Sequence, residues 1–307
     1  MPSNRPPGPY TDPPRPTSPE VELTAGSSRA VIATRGAEPI DWTVAGRPLL
    51  WDGDETWWPK SSPVLFPLCG QTRKEAIRVD GVTYPMPIHG FAPTSRFTIA
   101  ETGPDSVRMT LGTSPATRAA YPFDFAFAVD YHLTEGAFRA DFEIRNLDSV
   151  TMPYAVGYHP GFNWPFAGGD KHSHSILFER LEDPMVPGVG EGGGFLRTKE
   201  PVPMEGRRLA LPEGLFQARP LCFFDANSTS VRFEDGAGSA IVVETENFPH
   251  FAIWTKPDAP YLSIEEWTGY ADPIDFDGEL ADKPSMRFLP PGETARHAVT
   301  LRFETKS

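Results

Sequence analysis

The stretch FDFAFAVDYHLTEGAFRADFEIRN, residues 123–146, alternates apolar with small or polar residues on both sides of a Glu135–Gly136 pair. Phe123, Phe125, Phe127, Val129, Tyr131 and Leu133 share one parity; after the turn Phe138, Ala140, Phe142 and Ile144 resume the alternation. Successive side chains of a strand point to opposite sides, so a period of two gathers these residues on one face. The stretch reads as an antiparallel hairpin with one buried face.

The same grammar recurs along the chain. IRVDGVTYPM (77–86) carries Asp80–Gly81 between β-rich flanks, a short-range hairpin signal. Further hairpins are expected in FTIAETGPDSVRMTLG (97–112), SVRFEDGAGSAIVVETE (230–246) and ARHAVTLRFET (295–305). No segment sustains an apolar repeat of helical period. The expectation is an all-β fold, one large sandwich domain of antiparallel sheets over residues 20–307. Residues 1–19, MPSNRPPGPYTDPPRPTSP, hold too few apolar side chains to bury a face and are expected to form a disordered or extended tail.

Composition narrows the function classes. The 307 residues carry 28 Lys+Arg against 41 Asp+Glu, a net charge of −13. Phosphate binding rests on clustered cations, so nucleic acid and anionic membrane are not expected partners. There is no basic start followed by an apolar segment, and no apolar run of membrane-spanning length. Two distant cysteines, Cys69 and Cys222, argue against a disulfide framework, and a cytoplasmic setting is expected. The 35 prolines favour a loop-rich β architecture. Nothing in the sequence signals an oligomeric state.

Three stretches place proton-moving residues at breaks in the strand pattern: PMPIHGFAPTSRF with His89, AVGYHPGFNWPF with His159, and APYLSIEEWTGYADP with Glu265 and Glu266. Alternation separates the two glutamates. Leu262, Ile264 and Glu266 share one face; Tyr261, Ser263 and Glu265 share the other. With the Leu/Ile face in the core, Glu265 is expected on the exposed sheet face lining a shallow cleft, and Glu266 at the edge of the core. Adjacent glutamates cannot flank a glycosidic bond from both sides, which speaks against a glycosidase. His172 and His174 stand two residues apart with no third ligand in suitable spacing, so no metal is expected. PGVGEGGGF (187–195) neither follows a clear strand nor opens a helix, and reads as a loop rather than a phosphate cradle. Trp51, Trp57, Trp58, Phe162, Trp164, Trp254 and Trp267 lie beside the three stretches; flat rings suit sugar faces, but most of these read as packing.

Taken together, PVLFPLCG (63–70), PIHGF (87–91), GYHPGFN (157–163) and IWTKPDAPYLSIEEW (253–267) resemble, in order and spacing, the aldose 1-epimerase (mutarotase) family, and particularly its shorter bacterial branch. The resemblance implies a β-supersandwich and interconversion of the α and β anomers of a free aldose, a small-molecule sugar, with no metal or organic cofactor. It implies Glu265 as the general base on the C1 hydroxyl and His159 as the general acid on the ring oxygen. It further implies His89 as a substrate-binding histidine, with Asn163 and Trp267 shaping the site.

Two departures bear on the substrate. Where this branch carries an arginine after the glycine of the first block, this chain has Gln71, with Arg73 two residues on as the substitute contact. Where the family carries a substrate-binding aspartate, LFQARPLCFF (215–224) offers Arg219. A cation in place of an acceptor changes which group is held. Three readings follow: an epimerase of a neutral hexose; an epimerase of a charged aldose with Arg219, Arg73 and Arg96 as anion contacts; or a sugar-binding protein without turnover.

Overall fold

A computed structural model describes residues 17–305 except residue 218. The hairpin forms as its pattern predicts. Strands Phe125–Thr134 and Ala137–Asn146 pair antiparallel, with Phe127 opposite Ile144, Val129 opposite Phe142 and Leu133 opposite Phe138. Glu135 and Gly136 make the two-residue connection; Gly136 sits at φ +76°, a region glycine enters without a Cβ clash. From Phe125 to Ile144 every inward residue of the two strands is at most 2% exposed.

This hairpin lies within a ten-stranded antiparallel sheet. Ser106–Gly112 and Thr98–Thr102 extend it on one side, with Thr294–Glu304, Ala240–Glu246, Ser230–Glu234 and Ser175–Phe178 on the other. The expected hairpins at 77–86, 97–112 and 230–246 are present, the first with Asp80 and Gly81 at positive φ. The hairpin expected at 295–305 is not. Thr294–Glu304 is one continuous strand that pairs with Ala137–Asn146 on one edge and Ala240–Glu246 on the other. No glycine, proline or asparagine interrupts it, so nothing favours a turn.

A six-stranded sheet faces the first, built from Leu221–Phe223, His250–Trp254, Tyr261–Trp267, Gly157–Tyr158 and Val64–Leu65, with Gly161–Asn163 also paired to Tyr261–Trp267. Aromatic contacts knit the two layers: Phe66 stacks on Phe127 at 4.7 Å, and Phe142 meets Tyr158 at 5.8 Å and Phe248 at 5.9 Å. A four-stranded sheet over residues 20–48 packs on the same core, with Trp42 stacked on Phe138. Among the described residues one contiguous apolar cluster runs from Leu23 to Leu301. A smaller cluster stands apart, formed by Trp51, Trp58, Ala259 and Tyr261.

Of the expected tail, residues 1–16 lie outside the described residues. Its last positions are tied to the sheet: the Pro19 carbonyl accepts the Thr34 N–H at 2.8 Å, and Ser18 Oγ accepts that of Arg35. No helix among the described residues is long and apolar enough to cross a membrane.

Phe142→Ala removes a buried ring shared by both layers, and deletions of this kind cost about 3–5 kcal/mol. Urea titration is expected to show a loss of that size; a loss below about 1 kcal/mol would mean that the layers do not meet through this ring.

Candidate active site

The site grows from a strand-pairing register. Gly157 lies opposite Trp267 and Tyr158 opposite Glu266; past Pro160, Gly161 lies opposite Ser263, Phe162 opposite Leu262 and Asn163 opposite Tyr261. The register is the same on both sides of Pro160, so His159 falls opposite Glu265. Directly opposed residues share a face of the sheet. His159 Nε2 and Glu265 Oε2 accordingly stand 3.1 Å apart, without forming an aligned hydrogen bond.

Alternation separates the two faces, but Glu266, expected at the edge of the core, is fully buried within it. Glu266 turns into the core with Leu262 and Ile264, opposite Tyr158 and Phe251. The expectation of an exposed face on the other side needs correction: Glu265 is 2% exposed, and Tyr261 and Ser263 are fully buried. The cover is an aromatic arm. Trp58 stacks on Tyr261 at 5.4 Å and lies 4.8 Å from the His159 ring; Trp51 sits 5.1 Å from Tyr261, and Trp254 closes on His159 edge-on at 5.8 Å. Trp51 Nε1–H donates to the Trp58 carbonyl. Gly161 permits this approach, since a Cβ there would come within 2.9 Å of the Trp58 ring.

Burial sets the protonation of the pair. It pushes the Glu265 carboxyl well above its ordinary range, opposed only by the neighbouring Trp267 indole. It pushes His159 well below the usual imidazole value, aided by His89 and by the positive charge of Lys60. A neutral acid facing a neutral imidazole holds one proton between them. Glu266, fully buried, has neither carboxyl oxygen hydrogen-bonded to any described residue. Burial first, and then the adjacent Glu265 carboxyl, which disfavours a second negative charge beside it, raises it as well.

His89 arrives from a distant turn. Its ring lies 5.5 Å from that of His159 and 6.3 Å from Trp267. The Gly70 N–H donates to His89 Nδ1 at 3.1 Å, and the His89 N–H returns a bond to the Gly70 carbonyl at 3.0 Å. With Nδ1 an acceptor, Nε2 carries the hydrogen and becomes a donor. Burial and then Lys60 bring this imidazole down to about 3, so it stays neutral.

The remaining sequence candidates have other engagements. Asn163 donates through Nδ2 to the Pro48 and Leu50 carbonyls, holding the base of the tryptophan arm. Trp267 is 4% exposed beside Glu265. Arg73 is exposed; its guanidinium donates to the Phe276 carbonyl and its backbone N–H to Asp272. Arg219 is bound to Glu200 at 2.6 Å and to the Pro187 carbonyl at 3.0 Å, so both arms of its fork are used within the protein. His172 is exposed while His174 is buried between Phe166 and Phe233.

Sequence reasoning did not single out Lys60 or the covering role of Trp58 and Trp254. The run TWWPK carried both tryptophan and lysine, but only tertiary packing brings Trp58 against His159 and the charge of Lys60 within reach of it.

Comparison with known proteins places these features in a family context. The aldose 1-epimerase family model matches residues 19–302. The chain is 28% identical over 267 residues to the protein LacX, chromosomal, of Lactococcus lactis subsp. lactis, covering 83% of this chain and 89% of LacX. Among solved structures it is similar to a galactose mutarotase-like protein from Lactobacillus casei, with a TM-score of 0.86, 26% identity, and 93% of this chain and 100% of that one covered. A galactose mutarotase related enzyme from Lactobacillus acidophilus matches with a TM-score of 0.86 and 26% identity, over 94% of this chain and 98% of its own.

The buried Glu266 leads to a pH-dependent stability. The unfolded chain releases this proton near the ordinary 4.5, whereas the folded chain holds it to higher pH. Across that window the folded state binds more protons, so raising the pH destabilises it. From about pH 5 to about pH 8 the urea midpoint of the wild type is expected to fall more than that of Glu266→Gln. Parallel curves would show that Glu266 does not keep its proton.

Proposed function

The chain belongs to the aldose 1-epimerase family, and on that premise we propose that it interconverts the α and β anomers of a free aldose by acid–base ring opening and reclosure. One observation carries the reading: His159 Nε2 and Glu265 Oε2 stand 3.1 Å apart on one buried face. The two oxygens of the reaction, the C1 hydroxyl and the ring oxygen, are both bonded to C1. An acid and a base that serve them together must therefore stand side by side, as these two groups do.

The proton inventory fits. Ring opening takes one proton from the C1 hydroxyl and adds one to the ring oxygen. Glu265 as carboxylate and His159 as imidazolium hold the same single proton as the neutral pair. Sugar hydroxyls entering the site supply polar contacts that favour the charged form, and the proton passes from Oε2 to Nε2. Glu265 then takes the hydroxyl proton while His159 protonates the ring oxygen. The C1–C2 bond rotates in the open aldehyde, and the steps reverse on the other face. His89, neutral with its Nε2–H directed outward from the Gly70 contact, donates to a sugar oxygen; Trp267 flanks the base. No step draws on a metal or an organic cofactor.

A charged aldose is the second reading. Among the described residues, Lys60 is a cation whose charge reaches both His89 and His159, so an anionic substituent on the sugar would be drawn to that side of the site.

Polarimetry of freshly dissolved α-anomers, over neutral and acidic aldoses, tests both readings. Glu265→Gln is expected to lower kcat/KM by about 10²–10⁴, while Glu266→Gln keeps much of the activity. The active pair holds one proton, so activity should fall below the lowered value of His159 and above the raised value of Glu265, with a plateau between them. Wild-type rates in Glu265→Gln would overturn the assignment of the base. Silence of the wild type toward every aldose would move the sugar-binding reading ahead.

A further inference from the structure

We propose that Ser263 is a positioning residue that locks His159 in the Nδ1–H form, leaving Nε2 as its one atom for proton exchange. Ser263 is fully buried, and its Oγ lies 2.8 Å from His159 Nδ1 and 2.9 Å from the Pro160 carbonyl oxygen. A carbonyl oxygen only accepts, and a serine hydroxyl has one hydrogen. That hydrogen goes to Pro160, so the hydroxyl meets His159 as an acceptor. Nδ1 must then carry a hydrogen, and the lone pair of the neutral ring falls on Nε2, the atom 3.1 Å from Glu265 Oε2.

The backbone builds this contact from the same register that pairs His159 with Glu265. Ser263 lies opposite Gly161 and two residues before Glu265, hence on the same face. Its acceptor belongs to the residue that follows His159, so one corner of chain supplies both the imidazole and the carbonyl that orients the serine. Trp58 at 4.8 Å and Trp254 at 5.8 Å hold the ring against turning over.

The inference deepens the mutarotase reading and rests on it for its kinetic consequence. In the Nδ1–H form the neutral ring takes a proton from Glu265 at Nε2 and passes it to the ring oxygen without changing tautomer. In the Nε2–H form that nitrogen has no lone pair, and donation from it would leave an imidazolate. Acceptance of Nδ1–H by Ser263 also favours the imidazolium, so losing the serine lowers the His159 value further.

The tautomer is read directly from the imidazole ¹⁵N shifts of the wild-type protein at neutral pH, with His159→Gln used to assign the resonances. The expected result is a protonated-type Nδ1 and an unprotonated-type Nε2 at His159; the reverse pattern overturns the proposal. This readout needs no turnover, so it stands apart from a failure of the mutarotase reading, which polarimetry of the wild type decides. In Ser263→Ala the ring should populate both tautomers. Its kcat should drop about 10–100-fold with KM nearly unchanged, and the acid limb of the pH profile should move to lower pH. Ser263→Thr, which keeps the hydroxyl, should restore the Nδ1–H signature. An unchanged tautomer and an unmoved acid limb in Ser263→Ala would assign the serine to packing alone.

Discussion

Everything at the site depends on a strand register that survives a proline. Residues 157–163 and 261–267 pair antiparallel without slippage, although Pro160 contributes no N–H to the ladder. Its carbonyl accepts the Ile264 N–H at 3.2 Å, and the Pro63 carbonyl takes the His159 N–H at 3.0 Å, so the neighbouring backbone stays satisfied. That alignment puts His159 opposite Glu265, Gly161 beneath Trp58 and Asn163 beside the arm it anchors. A slip of one residue would turn Glu265 into the core and bring Glu266 to the face of the site.

The second constraint is dielectric. A carboxyl and an imidazole taken out of water both prefer to be neutral, and the pair meets this by keeping one proton between two groups. Elsewhere the protein uses neutral imidazoles as fixed linkers. His250 accepts the Asp225 N–H at Nδ1, while Nε2 meets Ser285, whose hydroxyl donates to the Thr268 carbonyl; burial brings this ring down to about 4. His297 bridges the Asn247 carbonyl and the Tyr154 hydroxyl and is lowered likewise, to about 4. In these two rings both nitrogens are occupied. His159 differs in having one nitrogen bound to Ser263 and the other beside the buried Glu265 carboxyl without an aligned hydrogen bond.

The fold was legible in the sequence where information is local. The alternation of Phe125–Leu133 and Phe138–Ile144, with its Glu-Gly turn, specified a hairpin that the sheet merely extends. Parity also separated Glu265 from Glu266, because a strand admits two faces. Where parity failed was in what covers each face. The face expected to be exposed at Glu265 is buried, and beside it Trp51, Trp58 and Trp254 pack on Tyr261 and His159, coming from segments about 200 residues upstream or from the adjacent strand. The same limit applies to Arg219 and Arg73: their positions in the chain suggested sugar contacts, and their engagements with Glu200 and Phe276 arise from loops that no periodicity relates to them. The continuous Thr294–Glu304 strand teaches the complement, since alternation alone does not mark a hairpin without a turn residue to reverse the chain.

The low exposure of Glu265 and His159 has a consequence for where the reaction's hydrogens travel. In the proposed reaction the sugar yields a proton at one oxygen and receives one at another, and the paired groups end each cycle as they began. Such a circuit is closed: it draws nothing from bulk water and returns nothing to it. The low exposure of the pair therefore does not starve the chemistry, because no buffer molecule has to reach either group between one turnover and the next.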